Sequence, residues 1–165
     1  MVLGLGGGIA EAMPPLKAAE QVDLERYMGT WRVVACLKGE EKEKMADAVE
    51  TYQAETWRKI GVKASWREGS LAGSQQVAED KAVLLDPGTN AQWRMKSGPL
   101  IGPSRVILAV SKDYEWAVVG VPSRREGWVL SRSGHLPPAA KKRVIEVLGE
   151  NGYDAKKFWS VAQPK

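Results

Sequence analysis

From residue 30 onward, apolar residues recur in short runs of strand length, each bounded by turn formers. The runs cover 30–37, 48–57, 62–67, 77–85, 91–96, 105–111, 115–121 and 127–132. Between them stand Lys59-Ile60-Gly61, Glu68-Gly69-Ser70, Asp86-Pro87-Gly88, Ser97-Gly98-Pro99, Lys112-Asp113 and Pro122-Ser123. Glycine supplies the positive φ that tight turns need, proline fixes its own φ, and Asp and Ser bond back to the main chain. Eight short runs so punctuated predict an antiparallel meander. Just ahead of it, Asp23 is placed to cap a short helical turn over 23–27 that delivers the chain to Gly29.

The period then changes. Ala140, Val144, Val147 and Leu148 fall at i, i+4, i+7 and i+8, one apolar helix face, with Lys141, Lys142 and Glu146 opposite. Pro137-Pro138 open this helix and Gly149 closes it. A short ninth strand over 157–163 follows. An open meander leaves two unpaired edges, which closure into a barrel removes. The predicted fold is all-β: an eight-stranded antiparallel up-and-down barrel, a C-terminal helix packed outside and a short ninth strand. Residues 1–20, glycine-rich and holding Met13-Pro14-Pro15, read as a flexible lead, and 21–165 as one domain.

Composition narrows the functional classes. The net charge of +4 comes from dispersed lysines and arginines among acids, with tight basic groups only at Arg124-Arg125 and Lys141-Lys142-Arg143, so no stripe suited to nucleic acid is present. Cys36 is the single cysteine, which excludes an intramolecular disulfide. The first ten residues lack the basic start of a secretory signal, and no cysteine lies near them to carry a lipid. A soluble, intracellular protein is the expectation, with peripheral membrane association left open.

Three islands carry a family resemblance. Gly29-Thr30-Trp31 with Tyr27 before it, Lys112-Asp113-Tyr114, and Leu130-Ser131-Arg132 resemble, in order and spacing, the three signature segments of the lipocalin family. The stretches 86–96, 116–124 and 152–163 are similar to its bacterial-type branch, which includes temperature-induced lipocalins of plants and apolipoprotein D. The likeness runs from 23 to 163. It implies a barrel floor closed by Trp31, with the Arg132 guanidinium across the indole and Gly29, Asp113 and Tyr114 as its structural company. Meander geometry agrees, because the sixth-to-seventh turn and the end of the eighth strand return to the end where the first strand starts. The family further implies binding and transport or scavenging of a fatty acid, lysophospholipid, sterol or pigment, and a link to membrane stress.

Alternation assigns inner faces. With Trp31 inward, Val33 and Ala35 follow and Cys36 points out. With Arg132 inward, Leu130 and Trp128 join it. On the sixth strand Val106, Leu108 and Val110 form the expected inner set, leaving Arg105 and Ser111 in water. Trp66, Trp93 and Met95 complete the expected ligand wall. The Tyr52 face, shared with Ala48 and Glu50, is taken as inner, so the Tyr52 hydroxyl can meet a head group. Trp57 and Trp159 are expected outside, against the helix. Arg124 and Arg125 stand where the mouth could hold a carboxylate or phosphate. Leu100 and Ile101 form an apolar tip suited to touching a membrane. The mixed-charge run 38–44 reads as a solvated loop.

The rival reading is a largely filled barrel acting as a membrane-associated or protein-interaction module. Catalysis is not expected: Cys36 points away from the lumen by this alternation, and nothing in the spacing aims His135, the sole histidine, at a nucleophile. The family's enzymes carry cysteine arrangements absent here. No metal or other cofactor is expected, and the partners reduce to a small hydrophobic ligand and a monomer or weak dimer.

Overall fold

The computed structural model describes residues 13–38 and 44–165. A four-residue helix α1 (Leu24–Tyr27) leads into β1 (Gly29–Leu37), followed by β2 (Met45–Ala54), β3 (Lys59–Glu68), β4 (Gln75–Leu84), β5 (Gln92–Ser97), β6 (Leu100–Val110), β7 (Trp116–Gly120) and β8 (Gly127–Ser131). Helix α2 (Pro138–Glu150), a 3-10 turn (Ala155–Lys157) and β9 (Trp159–Ser160) complete the chain. Every neighbouring pair is antiparallel, and β1 pairs with both β2 and β8, so the eight strands close. Asp23 caps α1 through its side chain, which accepts from the Arg26 N–H. Helix α2 lies outside and buries Ala140, Val144, Val147 and Leu148 against the outer face of β6–β8.

Closure between β1 and β2 is short, running only from Gly29↔Tyr52 to Arg32↔Val49. Above that point the C-terminal segment continues the free edge of β1: Ala35 pairs with Ser160, and Cys36 with Trp159. Its far side reaches β2 through an Ala46–Ala162 bridge and a bond from Asp47 N–H to the Ala162 carbonyl. The Gln163 amide donates to the Val33 and Ala48 carbonyls, one on each side. The ninth strand therefore bridges the upper seam, and Val161 joins the interior cluster.

One bulge on β1 and one reversed face on β6 overturn part of the simple alternation. A register shift between Val33 and Ala35 doubles a residue on β1. Beyond it the faces exchange, as an extra residue in a period-two structure requires. Cys36 is buried in the lumen, while Ala35 packs outward with the α2 cluster. The expectation for these two residues is reversed. On β6 the expected inner set is likewise wrong at two of three positions. Val106 and Leu108 pack against α2, while Ile107 and Val110 belong to the interior. Arg105 pairs with the inward Trp93 and so points into the barrel, not into water. The physical reason is that α2 needs an apolar strand face to lie on, and β6 supplies it with Val106 and Leu108.

Trp57 is 73% exposed in the β2–β3 turn beside α1, far from α2. Trp159 packs against the interior cluster through the seam rather than against α2. The fifth-to-sixth connection is only Gly98-Pro99, with Leu100 and Ile101 already in β6. Of the lead, residues 1–12 lie outside the described residues. Its next residues run along the barrel wall, where Lys17 N–H donates to Asn151 Oδ1 and Ala19 N–H to the Ile107 carbonyl. Most of the mixed-charge loop, residues 39–43, also lies outside the described residues.

Candidate functional site

The lumen divides into three levels. At the floor, Trp31 is fully buried and its indole N–H donates to the Tyr27 carbonyl at 2.8 Å. The Arg132 guanidinium lies 3.7 Å above the Trp31 ring and donates to the carbonyls of Arg26, Tyr27, Met28, Thr30 and Tyr114. Five carbonyls around one guanidinium explain Gly29: with φ at +96° and a notional Cβ 3.3 Å from Arg132 Nη1, the chain must pass close and left-handed there. Tyr114 accepts from the Asp23 N–H at 2.8 Å, tying the β6–β7 turn to the start of α1. Asp113 holds that turn by accepting from the Ser111 hydroxyl, which pulls its carboxyl below the usual range. Tyr27, Tyr52 and Trp93 then stack edge and face within 5.2–5.7 Å, filling the floor half with rings.

Above the rings lies a polar level. Glu50, 7% exposed, receives both the Tyr52 hydroxyl and Arg105 Nη1, the latter at 3.1 and 3.2 Å. The Arg105 guanidinium lies 4.2 Å over the Trp128 ring. Burial alone would ease the proton off Arg105, but the Glu50 carboxylate outweighs it and holds the charge in place. Burial first, and Glu50 second, push the Tyr27 and Tyr52 hydroxyls well above their ordinary range, so both stay neutral.

The mouth half is different in kind. Strand pairing sets Ala64 opposite Ala78, Trp66 opposite Gln76, and the inward Val62 opposite Asp80. Cα partners in an antiparallel ladder share a face, so these side chains line the lumen. Ile60, Ala82 and Leu84 near the floor are 0–1% exposed, whereas Ala64, Trp66, Gln76, Ala78 and Asp80 are all partly exposed. The barrel is filled below and open above. A recess of about 410 Å³ at the rim is lined by Met45, Trp66 and Trp159 with Lys38, Lys44 and Glu68. A larger concavity of about 760 Å³ lies on the outer wall among Thr51, Gln53, Lys63, Glu79 and Lys81, residues of the opposite face.

Of the residues proposed as ligand wall, Tyr52, Trp66, Trp93, Met95, Trp128 and Leu130 belong to or pack on the interior cluster. Within it Trp93 is part of the floor rings, and its indole N–H donates to the Asn90 carbonyl. Ala35, Val106 and Leu108 do not reach the lumen. Arg124 is turned away from the mouth: it donates to the carbonyls of Asn151, Pro122 and Pro14, joining the end of α2 to the N-terminal segment. Arg125 is exposed beside it. Leu100 and Ile101 are 71% and 69% exposed at the β5–β6 hairpin. The pair missed from the sequence is Glu50–Arg105. A signal existed: putting Tyr52 inward also puts Glu50 inward, and a buried carboxylate demands a cation. Among the described residues, no cluster of three metal-ligating side chains and no helix long and apolar enough to cross a membrane is present.

Comparison with known proteins agrees with this architecture. The model of the lipocalin-like domain matches residues 22–163. The chain is 26% identical over 157 residues to temperature-induced lipocalin-1 of Arabidopsis thaliana, covering 90% of this chain and 83% of that one. It is 29% identical over 143 residues to outer membrane lipoprotein Blc of Escherichia coli K12, covering 86% and 80%. Among solved structures, insecticyanin of the tobacco hornworm Manduca sexta superposes with a TM-score of 0.71 at 21% identity, covering 93% of this chain and 87% of that one.

Proposed function

The chain belongs to the lipocalin-like domain family, whose members bind small hydrophobic ligands, and on that premise we propose that it carries or scavenges one single-tailed amphipathic lipid in the mouth half of its barrel. The observation that carries this reading is the change in accessibility along the inner wall. Small residues, Ala64 and Ala78, face inward where the lumen is open, while the floor is closed by rings. Trp66, Met95 and Trp128 offer the apolar contact that supplies most of the affinity in such sites. The rim recess of about 410 Å³ falls in the size range of small-molecule sites. The proposed role is uptake and release with no reaction.

Delivery at a membrane is the second part of the reading. Leu100 and Ile101 put two large apolar side chains in water at the mouth end, where lipid would enter or leave. The rival, a filled barrel used only as an interaction module, draws on the ring-packed floor but not on the open wall above it.

Titration with a fluorescent fatty acid, followed by energy transfer from tryptophan, tests the carrier reading. Saturable transfer at a stoichiometry of one supports it. Its absence across fatty acids, lysolipids, retinoids and pigments refutes it.

A further inference from the structure

Arg105 is the one guanidinium of the described residues that sits inside the lumen above the rings. Its Nη1 is shared between the two Glu50 oxygens, while among the described residues no acceptor is bonded to its Nε or Nη2. The side chain keeps 19% of its surface exposed. Because Arg105 pairs with inward Trp93 and lies on inward Trp128, that surface belongs to the lumen side of the wall. Two N–H edges therefore face the space a ligand would fill. Neither atom is sealed from solvent, so water reaches these donors, and a ligand oxygen that displaces it must supply the same hydrogen bond.

The charge balance decides what kind of oxygen. Glu50 already neutralises Arg105, the Tyr27 and Tyr52 hydroxyls are neutral, and Asp80 adds a further acid to the same wall. A carboxylate entering this level would bring an uncompensated charge beside Glu50 into a poorly solvated site. An uncharged acceptor accepts the free N–H groups without that penalty.

Resting on the carrier reading above, we infer that Arg105 and Trp128 form a head-group site at the base of the open lumen, selective for an uncharged oxygen acceptor. The carbonyl, ester or hydroxyl oxygen of a long-chain alcohol, ester or ketone enters first and is held by Arg105 against the indole of Trp128. The tail then lies along Met95, Ala64 and Trp66 toward the rim. Glu50 is the specificity residue, since its charge is what turns an arginine site away from anions.

The test uses three ligands with one tail, 1-dodecanol, methyl dodecanoate and dodecanoate, near pH 8 where the acid is ionised. Binding is read by tryptophan emission and by native mass spectrometry. The wild-type protein is expected to bind the alcohol and the ester at least about tenfold more tightly than dodecanoate, about 1.4 kcal/mol. Glu50→Gln should raise dodecanoate affinity by at least about tenfold, because Arg105 is then an unpaired cation. If Glu50→Gln does not fold, the double variant Glu50→Gln with Arg105→Met removes both charges together, and it should weaken the alcohol and ester by about fivefold through loss of the donor. Equal wild-type affinity for all three ligands, or unchanged alcohol and ester affinity in the double variant, overturns the site and leaves the carrier reading standing. Failure of all three to bind overturns the site, and the carrier reading falls with it only when the fatty acid, lysolipid, retinoid and pigment titrations also show no saturable transfer.

Discussion

The Arg132 guanidinium lies 3.7 Å from the centre of the Trp31 ring while donating to five backbone carbonyls from α1, β1 and the β6–β7 turn. One side chain thus satisfies the end of a helix, the start of the first strand and a turn some 80 residues later in the chain. The cation–π contact contributes about 0.5–2 kcal/mol, and the carbonyls left without a donor add to the cost of losing it. Arg132→Ala is expected to lower stability by about 2–4 kcal/mol, and Trp31→Ala by about 3–5 kcal/mol. Urea unfolding followed by far-UV circular dichroism measures both. Unchanged midpoints would remove the floor from the list of structures that hold the barrel shut. Arg132→Lys should recover little, since an ammonium lacks the planar fork that reaches several carbonyls at once.

Cys36 should be silent in the native protein. Burial, only partly offset by Lys38, pushes its thiol up to about 12, whereas an unfolded cysteine ionises near 8.5. Ellman's reagent near pH 8 is expected to leave the folded chain untouched and to label one thiol in denaturing guanidinium chloride. Prompt native labelling would place the thiol outside the lumen. The same shift makes a linkage prediction. A group kept protonated by folding contributes stability that is complete below its unfolded value and is lost as pH rises toward the folded one. Stability should therefore decline from about pH 8.5 upward, and Cys36→Ala should delay the decline until the buried tyrosines Tyr27 and Tyr52 extend it from about pH 10.

The two faces of the tryptophan set separate by binding. Trp128 is 4% exposed inside the barrel beneath Arg105, and Trp57 is 73% exposed in a floor turn. Trp128→Ala is expected to weaken binding of 1-dodecanol by about tenfold, the loss of one well-packed aromatic contact, while Trp57→Ala leaves the dissociation constant unchanged. Equal effects would contradict the assignment of the lumen.

Leu100 and Ile101 are predicted to act outside the ligand site. Replacing both by Asp should reduce co-flotation with phosphatidylglycerol vesicles and slow ligand transfer to them, with the affinity in solution preserved. Co-flotation that survives the change would assign membrane contact to another surface.

Much of the architecture was legible in the sequence for local reasons. The strand limits followed turn residues such as Asp86-Pro87-Gly88, and the buried face of α2 followed the 3.6-residue spacing of Ala140, Val144, Val147 and Leu148. What failed were the predictions that carried alternation through a bulge. A single extra residue near Val34 exchanges Ala35 and Cys36. No single-residue propensity marks its position, because it is set by the way β1 must serve β8 on one edge and two different partners on the other. On β6, hydrophobicity was the wrong guide to inside and outside. The strand has two buried faces, one toward the lumen and one toward α2, and the inner one carries the charge. Arg105 became intelligible only once Glu50 was seen across the barrel from it.

The bridged seam has a bearing on how the barrel is made. Besides its short pairing with β2, the first strand finds its neighbours in β8 and β9, nearly a hundred residues and more away in sequence, and the contact that closes the upper wall is made by Trp159, Ser160 and Gln163. While the chain emerges from the ribosome, β2 to β6 can pair one after another, but the lumen has no complete wall until these last partners arrive. Barrel closure is thus a late event with a large loop entropy to overcome. Until then the inward faces of Trp66, Trp93 and Trp128 stand open to any lipid or chaperone that meets them.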